Sequence, residues 1–230
     1  MKKIGIIGGM SWQSTQTYYK AINEGVNDHL GGLHSAELLM YSVDFAPIEQ
    51  LQHNHQWPQL ANKLSHAAQS LERAGADCIV IATNTMHKVA DVMQENISIP
   101  IIHIADAVAV KLKQKGIDTV GLLGTAFTME QDFYRQRLQD KHGIKVLIPD
   151  APHRTCIHEV IYKELCHGHV YPDSHLAFMR IINELHFSGA QGIILGCTEI
   201  GLLVSQSDTD IALFDTTFIH AQAAVEFALS

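Results

Sequence analysis

Short apolar runs, each ending near glycine or a small polar residue, recur along the whole chain, and helical patterns fill the spaces between them. The runs are Lys3–Ile7, Glu37–Val43, Cys78–Ile81, Ile99–Ile104, Thr119–Leu123, Lys145–Ile148, Gly192–Leu195 and Ile211–Phe214. They are continuously apolar rather than alternating, which predicts strands buried on both faces, as in parallel sheets. Helical periodicity is predicted over roughly 13–29, 55–74, 85–95, 105–115, 128–142, 154–167, 173–188 and 216–229. Regular alternation of this kind restricts the chain to an α/β fold with right-handed crossovers.

The second half of the pattern echoes the first. Ile4-Gly5-Ile6-Ile7-Gly8 aligns with Val120-Gly121-Leu122-Leu123-Gly124. At nearly the same spacing, Gly75-Ala76-Asp77-Cys78-Ile79-Val80-Ile81-Ala82-Thr83-Asn84 aligns with Gly189-Ala190-Gln191-Gly192-Ile193-Ile194-Leu195-Gly196-Cys197-Thr198. Ile102-His103 against Phe214-Asp215 is a weaker third match. Any two βαβ halves share some of this likeness, but two matches at one spacing favour internal duplication. The expected fold is therefore two pseudo-symmetric lobes, each an open, mostly parallel sheet flanked by helices. Residues 1–100 plus 209–230 would form the N-terminal lobe and 101–208 the C-terminal one. Open α/β sheets bind ligands beyond the carboxyl ends of their strands, so a cleft faced by the Thr83 and Cys197 loops is the expected active site.

Composition removes several function classes. Hydrophobic residues make up 47% of the 230, enough for a sizeable core and incompatible with disorder as the main state. Sixteen basic against 24 acidic residues give a net charge of −8, the wrong sign for neutralising nucleic-acid phosphates. No apolar stretch approaches a membrane span, and the first one is too short and glycine-rich for a signal peptide. Cys78, Cys156, Cys166 and Cys197 form neither a CxxC pair nor a disulfide framework, so a reducing, cytoplasmic location is expected. The close histidine pairs, His53/His55 and His167/His169, lack the spacing of a zinc site, and no metal is expected.

Chemistry concentrates in the loops after the strands. Cys197 lies between a buried strand and a predicted helix, where helical N–H groups would favour the thiolate. A buried inert cysteine is the competing reading, and it is the expected one for Cys78, Cys156 and Cys166. Thr83-Asn84-Thr85-Met86-His87 holds the matching place in the first half; its short polar side chains suit either a helix cap or a carboxylate. His87 reads equally as a structural histidine or a site residue. Gly8-Gly9-Met10-Ser11 has neither dinucleotide-binding nor phosphate-loop spacing, yet can offer N–H groups and a hydroxyl to an anion. Gly124-Thr125-Ala126-Phe127-Thr128 is its counterpart.

Taken in order, Gly8-Gly9-Met10-Ser11-Trp12-x-Ser14-Thr15-x-x-Tyr18-Tyr19, Thr83-Asn84-Thr85-Met86-His87 and Gly196-Cys197-Thr198-Glu199-Ile200 resemble the aspartate/glutamate racemase family. The resemblance spans the chain. It implies two α/β lobes, a homodimer, a small amino-acid substrate, no cofactor, and two cysteines that work on opposite faces of the substrate's α-carbon. The sequence departs from that pattern at the first cysteine, where Thr83 stands. A thiol can ionise near neutral pH and an aliphatic hydroxyl cannot, so Cys197 would abstract the proton and Thr83 would donate or relay one. By the same resemblance the direction is L-aspartate or L-glutamate to the D-form. Met10, Ser11, Asn84, Thr85, Thr125, Thr128 and Thr198 are the candidates for holding substrate. Gln52 and Lys163, with Arg154 as a second cation, are the candidates for its side chain; both cations read equally as solvated helix charges. Without one of them at the site, a neutral amino acid becomes a plausible substrate. Related alternatives are malonate decarboxylase, maleate isomerase and hydantoin racemase chemistry, or a non-catalytic dicarboxylate-binding protein.

Overall fold

Every strand in the computed structural model, which describes residues 1–230, runs parallel to its neighbours. The chain divides into two units, Met1–Ile104 with His220–Ser230, and Ala105–Ile219. Each is a parallel sheet flanked by helices, the α/β class that the apolar runs predict.

In the first unit β1 (Ile4–Gly8) is central, with α1 (Trp12–Leu30) following it. It lies between β2 (Leu38–Ser42) and β3 (Cys78–Ile81). Between those strands come α2 (Phe45–His53), capped by Asp44, and α3 (Trp57–Arg73), which carries Pro58 in its first turn. The strand period of two splits the core into two clusters. Ile7, Ile79 and Ile81 pack with Leu60, Leu64 and Leu71 of α3. Ile4, Ile6, Cys78 and Val80 pack with Tyr18, Ile22 and Val26 of α1. Beyond β3 a 3₁₀ turn, Thr85–Val89, leads into α4 (Ala90–Gln94).

The second unit begins in α5 (Ile104–Gln114) and centres on β4 (Thr119–Gly124). The helices α6 (Ala126–Glu130) and α7 (Asp132–Gln136) precede β5 (Lys145–Leu147). The helices α8 (Ala151–Lys163) and α9 (Pro172–Phe187) pack against β4 and lead to β6 (Gly192–Gly196). The last strand, β7 (Ala212–Asp215), pairs with β6, giving the order β5-β4-β6-β7. Finally α10 (Thr216–Leu229) begins in this unit and ends in the first, where Ala221, Ala224 and Val225 join the α1 cluster. No helix is long and apolar enough to cross a membrane.

The structure differs from the sequence expectation in several places. Ile99–Ile104 is a single bridge, Ile79 to Ile101, rather than a strand. Pro100 has no N–H, so the pairing is limited to Ile79 N–H donating to Pro100 O and Ile102 N–H donating to Ile79 O. The helix expected over 128–142 is broken into α6, α7 and a wider π-type turn, Arg137–Lys141. That turn is drawn onto Asp106 of α5, which accepts from Arg137 Nε at 2.9 Å and Nη2 at 2.8 Å and also binds Lys141 and His142. Short α2, with Pro47 in its first turn, has too little periodicity to be read in advance. Residues 209–219, expected with the first lobe, belong to the second unit because β7 completes its sheet, and residues 101–104, expected with the second lobe, belong to the first unit, where Ile101 bridges to Ile79.

Candidate active site

In each sheet the polar motifs lie just beyond the carboxyl ends of the strands, the edge where parallel sheets place their ligands. After β1 the chain turns at Gly9, whose φ of +91° belongs to the left-handed region and whose missing side chain lets the loop lie against the Val43 backbone. Gly9 N–H donates to Thr15 Oγ1 at 2.8 Å, and Ser14 Oγ donates to Ala82 O at 3.1 Å. The second bond ties the first turn of α1 to the end of β3. Ser11 caps α1, accepting from Ser14 N–H at 3.2 Å, and Met10 is buried.

Thr83 follows β3 directly. Its N–H donates to Ile81 O at 2.8 Å, its carbonyl accepts from His87 Nδ1 at 2.8 Å, and the residue as a whole stays partly exposed. Asn84 and Thr85 are buried behind it. Gln52, only 4% exposed, reaches from α2 to Met86 Sδ at 3.8 Å, so it belongs to the same neighbourhood as the Thr83 motif.

In the second unit Cys197 leaves β6 in extended conformation and a 3₁₀ turn, Thr198–Leu202, follows. Its Sγ lies 3.0 Å from Glu199 Oε2 and donates to it. Burial pushes the Cys197 thiol well above its ordinary range, and the Glu199 charge and hydrogen bond push it further. This corrects the expectation of a thiolate held by a helix N-terminus. A single 3₁₀ turn has little macrodipole, and the second residue of this one presents a carboxylate to the sulfur. Glu199 is thus the functional candidate that the motif contained and its residue types did not reveal. Cys166, in the turn after α8, is pushed up to about 12 by burial and by Glu199. Cys78 inside β3 is pushed up to about 12, chiefly by burial, and packs in the core.

Not all of the expected substrate contacts stand. Thr125 caps α6, accepting from Thr128 N–H at 3.3 Å, and Thr198 opens the turn after Cys197. Thr128 is fully buried, and its methyl group fills the space beside Gly124 and Gly196; it serves packing rather than a ligand. Gly196 must be glycine, because a Cβ there would lie 2.8 Å from Leu123 O. Lys163 points to solvent, its side chain 69% exposed in an ion pair with Glu159 one helical turn earlier. Arg154 is held by Glu130 at 2.7 Å and Pro149 O at 2.8 Å. Both candidate cations for a substrate side chain are therefore engaged within the protein.

A family model described as Asp/Glu/Hydantoin racemase matches residues 7–224. The crystal structure of a candidate Asp/Glu racemase from Yersinia pestis is similar over 100% of both chains, with 55% identity and a TM-score of 0.96. An aspartate racemase homologue from Pyrococcus horikoshii OT3 also covers 100% of both chains, with 36% identity and a TM-score of 0.88. The broad specificity amino-acid racemase RacX of Bacillus subtilis (strain 168) is 22% identical over 99% of this chain and 98% of its own.

Proposed function

The chain belongs to the Asp/Glu/Hydantoin racemase family, and from that premise we propose a cofactor-independent inversion of an amino acid's α-carbon, with Cys197 and Thr83 handling the protons. The observation that carries this reading is the Cys197–Glu199 pair. A half-buried thiol whose S–H already points at a carboxylate has a built-in acceptor for its proton. Glu199 takes that proton, and the resulting thiolate removes the Cα hydrogen of the L-enantiomer as a proton. The electron pair stays on the substrate and spreads into its α-carboxylate. With no electron sink in the scheme, hydrogen-bond donors around that carboxylate must stabilise the charge. Ser11 and Met10 on the first loop, Asn84 and Thr85 beside Thr83, and Thr125 and Thr198 in the second unit are assigned to this task.

Reprotonation from the Thr83 side gives the D-enantiomer. An aliphatic hydroxyl is too weak an acid to persist as an alkoxide, so Thr83 gives its proton only while regaining one, with water as the source. The substrates we assign are L-aspartate and L-glutamate. Gln52, beside Met86 in the Thr83 motif, is the polar group assigned to the substrate's side chain. The engagement of Arg154 and Lys163 elsewhere favours a second feature: tolerance of neutral side chains.

Proton NMR in deuterium oxide without added cofactor tests the reading. Loss of the α-proton signal of L-glutamate or L-aspartate with formation of D-product, both absent in Cys197→Ser, is the expected result. The same assay with L-asparagine and L-glutamine tests breadth. No exchange with any substrate, alongside carbon dioxide release from a substituted malonate, would replace racemisation with decarboxylation. No turnover at all with retained dicarboxylate binding would leave a binding protein.

A further inference from the structure

Among the histidines, His87, His103 and His220 meet inside the first unit. The ring of His87 lies 4.7 Å from that of His103 and 5.4 Å from that of His220. All are buried, at 3%, 7% and 0% exposure. The partners of two of them determine where their hydrogens sit. Ile104 N–H, which can only donate, points at His87 Nε2 at 3.2 Å, so that nitrogen is bare and the hydrogen sits on Nδ1. His87 Nδ1–H then donates to the Thr83 carbonyl at 2.8 Å. His220 is the reverse case. Ile102 O can only accept, at 2.6 Å from Nε2, which leaves Nδ1 to accept from the Tyr18 hydroxyl at 2.8 Å.

We propose that His87 is a positioning residue for Thr83. It holds one backbone group of Thr83 while Ile81 O holds the other, so the conformation of a partly exposed residue is set from its buried side. The direction of the Thr83 hydroxyl follows from that conformation, because the backbone restricts the rotamers open to the side chain. The ring is a dependable donor because burial, with His103 and His220 adjacent, keeps it uncharged. Its other nitrogen ties the same loop to Ile104, the last residue before the chain leaves this unit. This role rests on the racemase reading, in which Thr83 completes inversion after Cys197 has removed the proton.

The test separates the two half-reactions. In deuterium oxide, L-substrate that exchanges its α-proton and returns to L reports Cys197 alone, whereas D-product requires Thr83. In His87→Gln the amide oxygen can still accept from Ile104 N–H, but the donor to Thr83 is lost. In His87→Asn the amide nitrogen occupies the place of Nδ1 and keeps that donor. We expect His87→Gln to lower the ratio of inversion to exchange by at least about tenfold, as small misplacements of reacting groups do, and His87→Asn to stay within about threefold of the wild type. A structural role alone would lower both rates together and leave the ratio unchanged; that outcome overturns the proposal, as does an equal fall in the ratio for both variants. Absence of exchange and product in the wild type would sink the racemase reading and this role with it. Should His87→Gln fail to fold, wild-type protein with ¹⁵N-labelled histidine gives the second reading. A protected Nδ1–H on His87 that shifts on saturation with D-glutamate is expected, and an Nε2–H tautomer overturns the proposal.

Discussion

Cys197 and Glu199 stand two residues apart, and the turn that brings sulfur and carboxylate to 3.0 Å decides the behaviour of both. Glu199 destabilises the thiolate by its charge and, in the proposed mechanism, is also the acceptor that allows the thiolate to form. These two effects separate on substitution. Glu199→Gln removes a negative charge, so the pH midpoint for alkylation of Cys197 by iodoacetamide, followed by mass spectrometry of its peptide, moves down. The same change removes the proton acceptor, so kcat falls by about 100-fold or more. An alkylation midpoint that rises, or a kcat left intact, would show that the pair does not act as described. Cys-Thr-Glu is plain in the sequence, but the sign of its effect on the thiol is not. A helical N–H group and a nearby carboxylate push in opposite directions, and only the turn geometry says which prevails.

Individual elements carry the site on loops that other elements hold. Asp106 of α5 gathers Arg137, Lys141 and His142, and so fixes the turn after α7 that the sequence expectation merged into one helix. Asp106→Asn leaves Arg137 without its carboxylate and is expected to cost about 2 kcal/mol in urea denaturation at neutral pH. These partners hold the Asp106 carboxyl well below its ordinary value of 3.8, so its contribution is full above that pH and is lost as pH falls below it. The stability gap between wild type and variant should therefore narrow in that acid window and stay constant above it. Gly9→Ala, at a φ of +91° and against the Val43 backbone, is expected to cost about 1–3 kcal/mol, read as a lower melting temperature. A variant as stable as wild type would mean that the loop after β1 tolerates another path.

For the whole molecule, acid is the expected weakness. His87 and His220 are neutral and enclosed, and burial lowers His220 to about 4 from its ordinary 6.5. Below 6.5 the unfolded chain binds protons that the folded one refuses, so stability falls as pH drops from 6.5 towards 4. For His220 alone the loss is on the order of 3 kcal/mol. Denaturation midpoints at pH 5 and pH 7.5 check this; equal midpoints would show that the cluster charges without cost. The catalysed equilibrium imposes a second expectation. Racemisation has an equilibrium constant of unity, so kcat/KM must be equal for the two enantiomers. The asymmetry between a thiol and a hydroxyl then appears as a lower kcat matched by a lower KM for the D-substrate, measurable by circular dichroism, and equal kcat values would remove Thr83 from its assigned role. The sequence by itself determined the parallel α/β architecture and the placing of its polar motifs at strand ends, because apolar runs and helical periods act over neighbouring residues. Tertiary structure alone decided that the Cys197 sulfur meets the Glu199 carboxylate, that Thr128 is packing, that Lys163 faces solvent, and that His87 holds both Thr83 and Ile104. Charge state and exposure depend on which groups meet through space, as Tyr18 meets His220 from the other end of the chain, and residue spacing along the sequence does not contain those meetings.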